Sequence, residues 1–275
     1  MSRIETVPVL RWALALRPSD GQINLLLGHV LFSLGRHSEG REFWQQASRA
    51  GEAKPVALRA LGMATLNLDG NPEAAATLLS QAHALDPADA IVARDLAKVL
   101  FAQAEKADSA ERKKELLARS RDTLKAAFSQ GKARSDFVSL LGRAQNRLGE
   151  YADTARMLDQ VRVTVWEGSR EVHDLFEDAH LGLGEAHLVA GRPTEALTEF
   201  NRALEYPENL ATGKLEHARE AHIHYLRGNA LAALGQKDAA LQAWRAAADE
   251  PASKDKAKED ARQKAREALD RARQK

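Results

Sequence analysis

The sequence predicts an all-α fold, a solenoid of about six helical hairpins. Three observations carry that prediction. A set of small and bulky residues recurs at fixed offsets along the chain, and a glycine stands at the turn between the two halves of most copies. The composition is 44% apolar but only 5% aromatic, so alanine and leucine must fill the core, which suits close helix pairs and not sheets. Length alone would suggest two globular domains. Repetition instead indicates one quasi-linear array in which each unit buries its face on its neighbours.

The pattern is clearest in GEAHLVAGRPTEALTEF, within Asp178 to Leu204. Gly184 anchors a first helix, Gly191-Arg192-Pro193 forms the turn, and Pro193 is pre-set for a first helical position. A small, a bulky and a small residue follow the anchor by 12, 16 and 19 positions, at Ala196, Phe200 and Ala203. Gly28 repeats this with Gly40, Trp44 and Ala47; Gly142 with Thr154, Leu158 and Val161; Gly228 with Ala240, Trp244 and Ala247. Gly62 starts a copy shifted by one residue at its turn, reaching Ala75, Leu79 and Ala82. In a degenerate copy Ala97 takes the glycine place, and a charged extension delays Ser120, Leu124 and Ala127.

Taken in order, residues 5–17 read as the second helix of a hairpin whose first helix is missing, so the chain reads as starting inside an array. Units at about 21–54 and 55–89 follow, and Asp89 is a plausible cap for a long helix over 89–106. Its partner covers 109–130 and opens on Glu111, Arg112, Lys113, Lys114 and Glu115, a solvated projection. A fourth unit spans 134–163. The β-branched and aromatic run from Arg162 then requires a turn of the backbone, and Pro207 and Gly213 break the helices again after the fifth unit. Residues 1–20 are thus a half repeat, 21–248 the solenoid with inserts at 105–114, 164–175 and 206–218, and 249–275 a polar capping helix.

Repeats of about 34 residues with these landmarks resemble the tetratricopeptide repeat from Ser19 to about Ala248. The resemblance rests on L-G or its variants in the first helix, turn glycines at Gly35, Gly149, Gly191 and Gly235, and A-x-x-x-F/W/L-x-x-A in the second helix. It implies a right-handed superhelix whose first helices line a concave groove, and a non-enzymatic scaffold that holds a partner protein. By that register Arg59, Asn67, Arg94, Lys98, Arg143, Asn146 and Arg147 face inward. Arginine forks grip carboxylates and asparagine can hold an extended backbone, so the implied guest is an acidic or extended protein segment. Pairing of some of these cations with acids such as Asp95 or Asp136 is the competing, purely structural reading. The lysine, arginine and asparagine clamp of the family's chaperone-tail binders is not reproduced in spacing.

A second resemblance covers about 162–250, carried by WEG-x-x-x-VHD and YPENL-x-x-GK. These segments are similar to the C-terminal repeat region of large bacterial proteins with a mutarotase-like, carbohydrate-active front domain. It implies an accessory array, with Trp166, Glu167, Glu171, His173, Asp174, Glu208, Asn209 and Lys214 contributing to a shared site.

Other chemistry finds little footing. Lysine plus arginine total 40 against 39 acids, so no net charge draws the chain to nucleic acid or membrane. Without cysteine there are no disulfides or thiol catalysis. Six of the nine histidines fall in 173–224, but steps of seven residues separate His173, His180 and His187 by about 10 Å each, too far to share one metal ion. No phosphate-binding glycine loop, nucleophile elbow or cofactor motif is present, so no cofactor is expected. With no leader and no membrane-length apolar run, the expected location is cytoplasmic.

Overall fold

A computed structural model describes residues 4–49, 51–128, 135–163 and 170–273. The chain divides into two compact units, Met1–Lys132 and Ala133–Lys275. All fourteen elements longer than a single turn among the described residues are α-helices.

Unit 1 holds α1 (Thr6–Leu16), then the hairpins α2/α3 (Gly21–Ser33, His37–Ala47), α4/α5 (Lys54–Asp69, Pro72–Leu85) and α6/α7 (Ala90–Glu105, Ala110–Phe128). Each second helix packs on the first helix of the next hairpin, as α3 does on α4 and α5 on α6. Helix α1 places Val7, Leu10 and Leu14 against Leu27 and Leu31 of α2. The charges at 111–115 form the first turns of α7 and lie largely in solvent.

Unit 2 repeats the plan with α8/α9 (Ser135–Leu148, Tyr151–Gln160), α10/α11 (Glu171–Val189, Pro193–Arg202) and α12/α13 (Ala221–Ala233, Lys237–Asp249). A final helix, α14 (Lys256–Arg273), packs on both α12 and α13 and so occupies the place of a further first helix. Its buried residues are Ala261, Ala265, Ala268 and Leu269, a thin apolar stripe under a charged outer face.

Within the hairpins the fixed offsets become contacts. A Cβ built on Gly28 would lie 2.4 Å from Trp44, one on Gly184 2.3 Å from Phe200, and one on Gly228 2.3 Å from Trp244. The ring of the second helix therefore occupies the space a side chain on the first would need. The shifted copy does the same less tightly, with Leu79 2.9 Å from a Cβ on Gly62. Where Ala97 replaces glycine, Ser120 answers with a buried hydrogen bond from its Oγ to the Ala97 carbonyl at 3.0 Å.

Turns are equally regular. Gly35, Gly149, Gly191 and Gly235 have φ of 80°, 76°, 69° and 73°, the left-handed conformation that ends a helix. After each glycine the next amide reaches back across the last turn: Arg36 to the Leu31 carbonyl, Glu150 to Gln145, Arg192 to His187 and Gln236 to Leu231. Side-chain caps start α2, α5 and α6, from Asp20, Asn71 and Asp89.

Replacing Gly228 by alanine forces its methyl into the Trp244 ring, and overpacking of this kind costs about 1–3 kcal/mol even though alanine is the better helix former. Urea unfolding of Gly228→Ala is expected to show a lowered midpoint. Gly213→Ala, with nothing within 4 Å of the added Cβ, is expected to unfold with the parent chain.

Candidate functional site

The first helices of unit 2 line a hollow of about 600 Å³. Helix α8 contributes Arg143, Asn146 and Arg147, α10 contributes Leu175, Asp178, Leu181 and Glu185, and α12 contributes His222, Tyr225 and Leu226. Ala257, Ala261 and Lys264 of α14 complete the lining, together with Tyr151 of α9. Helix α10 lies between α8 and α12, so the charges are ordered: cations on α8, carboxylates on α10, aromatic and aliphatic groups on α12.

Several of these side chains are already held in place. Asn146 Nδ2 donates to the Leu175 carbonyl at 3.1 Å, and Arg143 lies 3.6 Å from Glu171. His222 Nε2 meets Glu177 Oε1 at 2.7 Å. Burial raises the Glu177 carboxyl, but the hydrogen bond and charge of His222 outweigh it and hold the group below its ordinary range. Asp174 and Asp178 go the other way: although part of each carboxyl reaches solvent, the surrounding protein strips water from it, and this desolvation, followed by the neighbouring Glu177, pushes both carboxyls up.

Of the seven residues assigned inward by register, the three on α8 line this hollow. The other four belong to unit 1. There Arg59 Nε and Arg94 Nη2 close on the two oxygens of the buried Asp95 at 2.7 and 2.9 Å, as the ion-pair reading expected. Asn67 and Lys98 are exposed. The inward assignments made by register cover only the second to fourth units, so Asp178, Leu181, Glu185, His222 and Tyr225 are not among them. The signal was available, because Glu185 follows Gly184 as Arg143 follows Gly142, and Leu181 and Tyr225 precede their glycines as Arg59 precedes Gly62.

Of the second candidate set, Trp166 and Glu167 lie outside the described residues, as does 164–169 of the insert. Residues 170–175 are the start of α10, and 206–214 fold over them. The His173 ring stacks on Tyr206 at 4.1 Å, and its Nε2–H donates to the Glu205 carbonyl at 3.0 Å. Arg170 and Lys214 approach the Tyr206 ring at 5.6 and 5.7 Å, and Lys214 pairs with the buried Glu220 at 2.8 Å. Asn209 donates from Nδ2 to the Leu158 and Val161 carbonyls at 2.7 Å each, closing the end of α9. Glu208 is exposed, as are Glu171 and Asp174. The two segments do meet, but Asn209 Nδ2, His173 Nε2 and Lys214 Nζ are engaged in fastening the insert. Among the described residues no group of three or more His, Asp or Glu side chains could hold a metal ion.

A sequence model described as the tetratricopeptide repeat matches residues 165–209, covering α10, α11 and the turn between them. That hairpin therefore carries the tetratricopeptide repeat pattern, and helical hairpins of the same plan recur in both units. It is similar to a thermophilic TPR protein of Thermus thermophilus, at 23% identity over 78% of this chain and 99% of the other, with a TM-score of 0.42. A tetratricopeptide repeat protein of Parabacteroides merdae matches at 11% identity over 97% and 91% of the two chains, TM-score 0.44. Human IFIT1, crystallised as a dimer with m7Gppp-AAAA, matches at 16% identity over 86% of this chain and 56% of its own, TM-score 0.44.

Burial pushes His173 and His224 below the ordinary imidazole value of 6.5, and the buried Nδ1 of His173, if protonated, would have no acceptor for its N–H. The unfolded chain therefore binds protons that the folded one refuses. The stability of unit 2 is expected to be full above pH 6.5 and to fall as the pH is lowered through that value. Thermal unfolding across pH 7.5 to 5.5 checks this, and His173→Gln is expected to flatten the slope.

Proposed function

We propose that the chain is a non-enzymatic scaffold that holds an extended segment of a partner protein, with the first-helix face of unit 2 as its seat. One observation carries the proposal: the hollow of about 600 Å³ is lined by successive first helices and ringed by donors and charges on rigid elements. That volume lies in the range of built ligand sites. Arg143, Asn146 and Arg147 are the guest contacts proposed for one wall; the two arginines are exposed, while Asn146 already donates to the Leu175 carbonyl.

Arg59, Asn67, Arg94 and Lys98 are the corresponding contacts proposed for unit 1. Asp95 already engages both arginines there, so their contribution is the smaller. The accessory, carbohydrate-associated reading draws less support, since His173, Asn209 and Lys214 of its residue set fasten the 206–214 insert. No helix among the described residues is long and apolar enough to cross a membrane.

The test is capture of partner proteins by the immobilised chain, read by mass spectrometry. Arg143→Glu with Arg147→Glu is expected to weaken capture about tenfold or more and to leave the melting temperature within a degree or two, because both residues are exposed. Undiminished capture by a correctly folded double variant would remove unit 2's inner face as the seat.

A further inference from the structure

The expectation of an acidic guest considers only one wall of the hollow. Resting on the reading that the first-helix face of unit 2 is the seat, we infer that the guest is a charge-ordered segment: an acidic residue at α8, a basic residue at α10 and an apolar residue at α12, spaced about three positions apart.

The order follows from the lining. Arg143 and Arg147 stand on α8, Asp178 and Glu185 on α10, and Tyr225 with Leu226 on α12. The spacing follows from geometry. Packed helices lie about 8–10 Å apart and an extended chain advances about 3.3 Å per residue, so a guest crossing the helices meets a new one about every third residue.

The α10 wall selects against a second carboxylate. Asp174, Glu177 and Asp178 crowd one stretch of that helix. At its start Arg170 faces Asp174 and His173 faces Asp174 and Glu177; Arg147 of α8 faces Asp178, His222 of α12 faces Glu177 and Asp178, and Lys258 of α14 faces Asp174 and Glu177. Desolvation, and then its acidic neighbours, already drive the Asp178 carboxyl upward. A guest glutamate placed there would add to the crowding, whereas a guest lysine or arginine relieves it. A uniformly acidic segment therefore suits α8 and is repelled one helix later. Opposed charges on adjacent walls specify register by penalising every wrong alignment.

Two fluorescein-labelled peptides of identical composition test this, with binding to the full chain followed by anisotropy. One is Glu-Ser-Ser-Lys-Ser-Ser-Leu and the other Lys-Ser-Ser-Glu-Ser-Ser-Leu, so net charge and apolar content cancel. The first is expected to bind about tenfold more tightly. A variant with the walls exchanged, Arg143→Glu, Arg147→Glu, Asp178→Lys and Glu185→Lys, keeps the net charge and is expected to invert that preference. Equal binding of the two peptides by the parent chain overturns the charge order while leaving the seat itself standing. Failure of both to bind at millimolar concentration overturns the order and the seat together.

Discussion

The structure depends on the closest approach within the hairpins, where in four of the six a glycine on the first helix admits a large side chain from the second. Trp44, Phe200 and Trp244 fill the space that a Cβ on Gly28, Gly184 and Gly228 would occupy. The partners of that contact are buried as well, with Ala47, Ala196, Ala203, Ala240 and Ala247 at 0–1% exposure. Close packing of this kind tolerates neither an added methyl nor a lost ring without cost. Because no unit can bury its apolar face alone, the contact within one hairpin also sets how the next can stack.

That constraint places the chemistry. Once the second helix is locked behind the first, the residues just before and after each glycine are turned to the inner face. In unit 2 these are Arg143 after Gly142, Leu181 and Glu185 around Gly184, and Tyr225 ahead of Gly228, all of which line the hollow. The same repeat therefore builds a wall and leaves its chemistry free to vary from one hairpin to the next. Irregular sequence is spent elsewhere: Asn209 closes the end of α9, and the His173–Tyr206 stack ties the 206–214 segment to α10.

Most of the fold was legible because its rules are local. The turn glycines, the Pro193 start, the Asp89 cap and the offsets of 12, 16 and 19 are properties of one hairpin, and each appears where the sequence puts it. The candidate site was legible only in part. Arg143, Asn146 and Arg147 follow from register, but the opposing Asp178 and Glu185 acquire meaning only when α8, α10 and α12 are set side by side. Which cations are engaged by acids is a tertiary matter too: Asp95 draws in both Arg94, its sequence neighbour, and Arg59 from the preceding hairpin. The roles of Asn209 and His173 were hidden for the same reason, since their partners lie 32 to 51 residues away.

The central claim is that a guest occupies the inner face formed by the first helices of unit 2. Site-specific photo-crosslinking tests it most directly, with a benzoylphenylalanine placed at Leu181 on the lining and, as a control, at the exposed Gln242 on the second helix α13. In the presence of captured partner, the account predicts a crosslinked adduct from position 181 and none from 242. Adducts from 242 with none from 181 would contradict it.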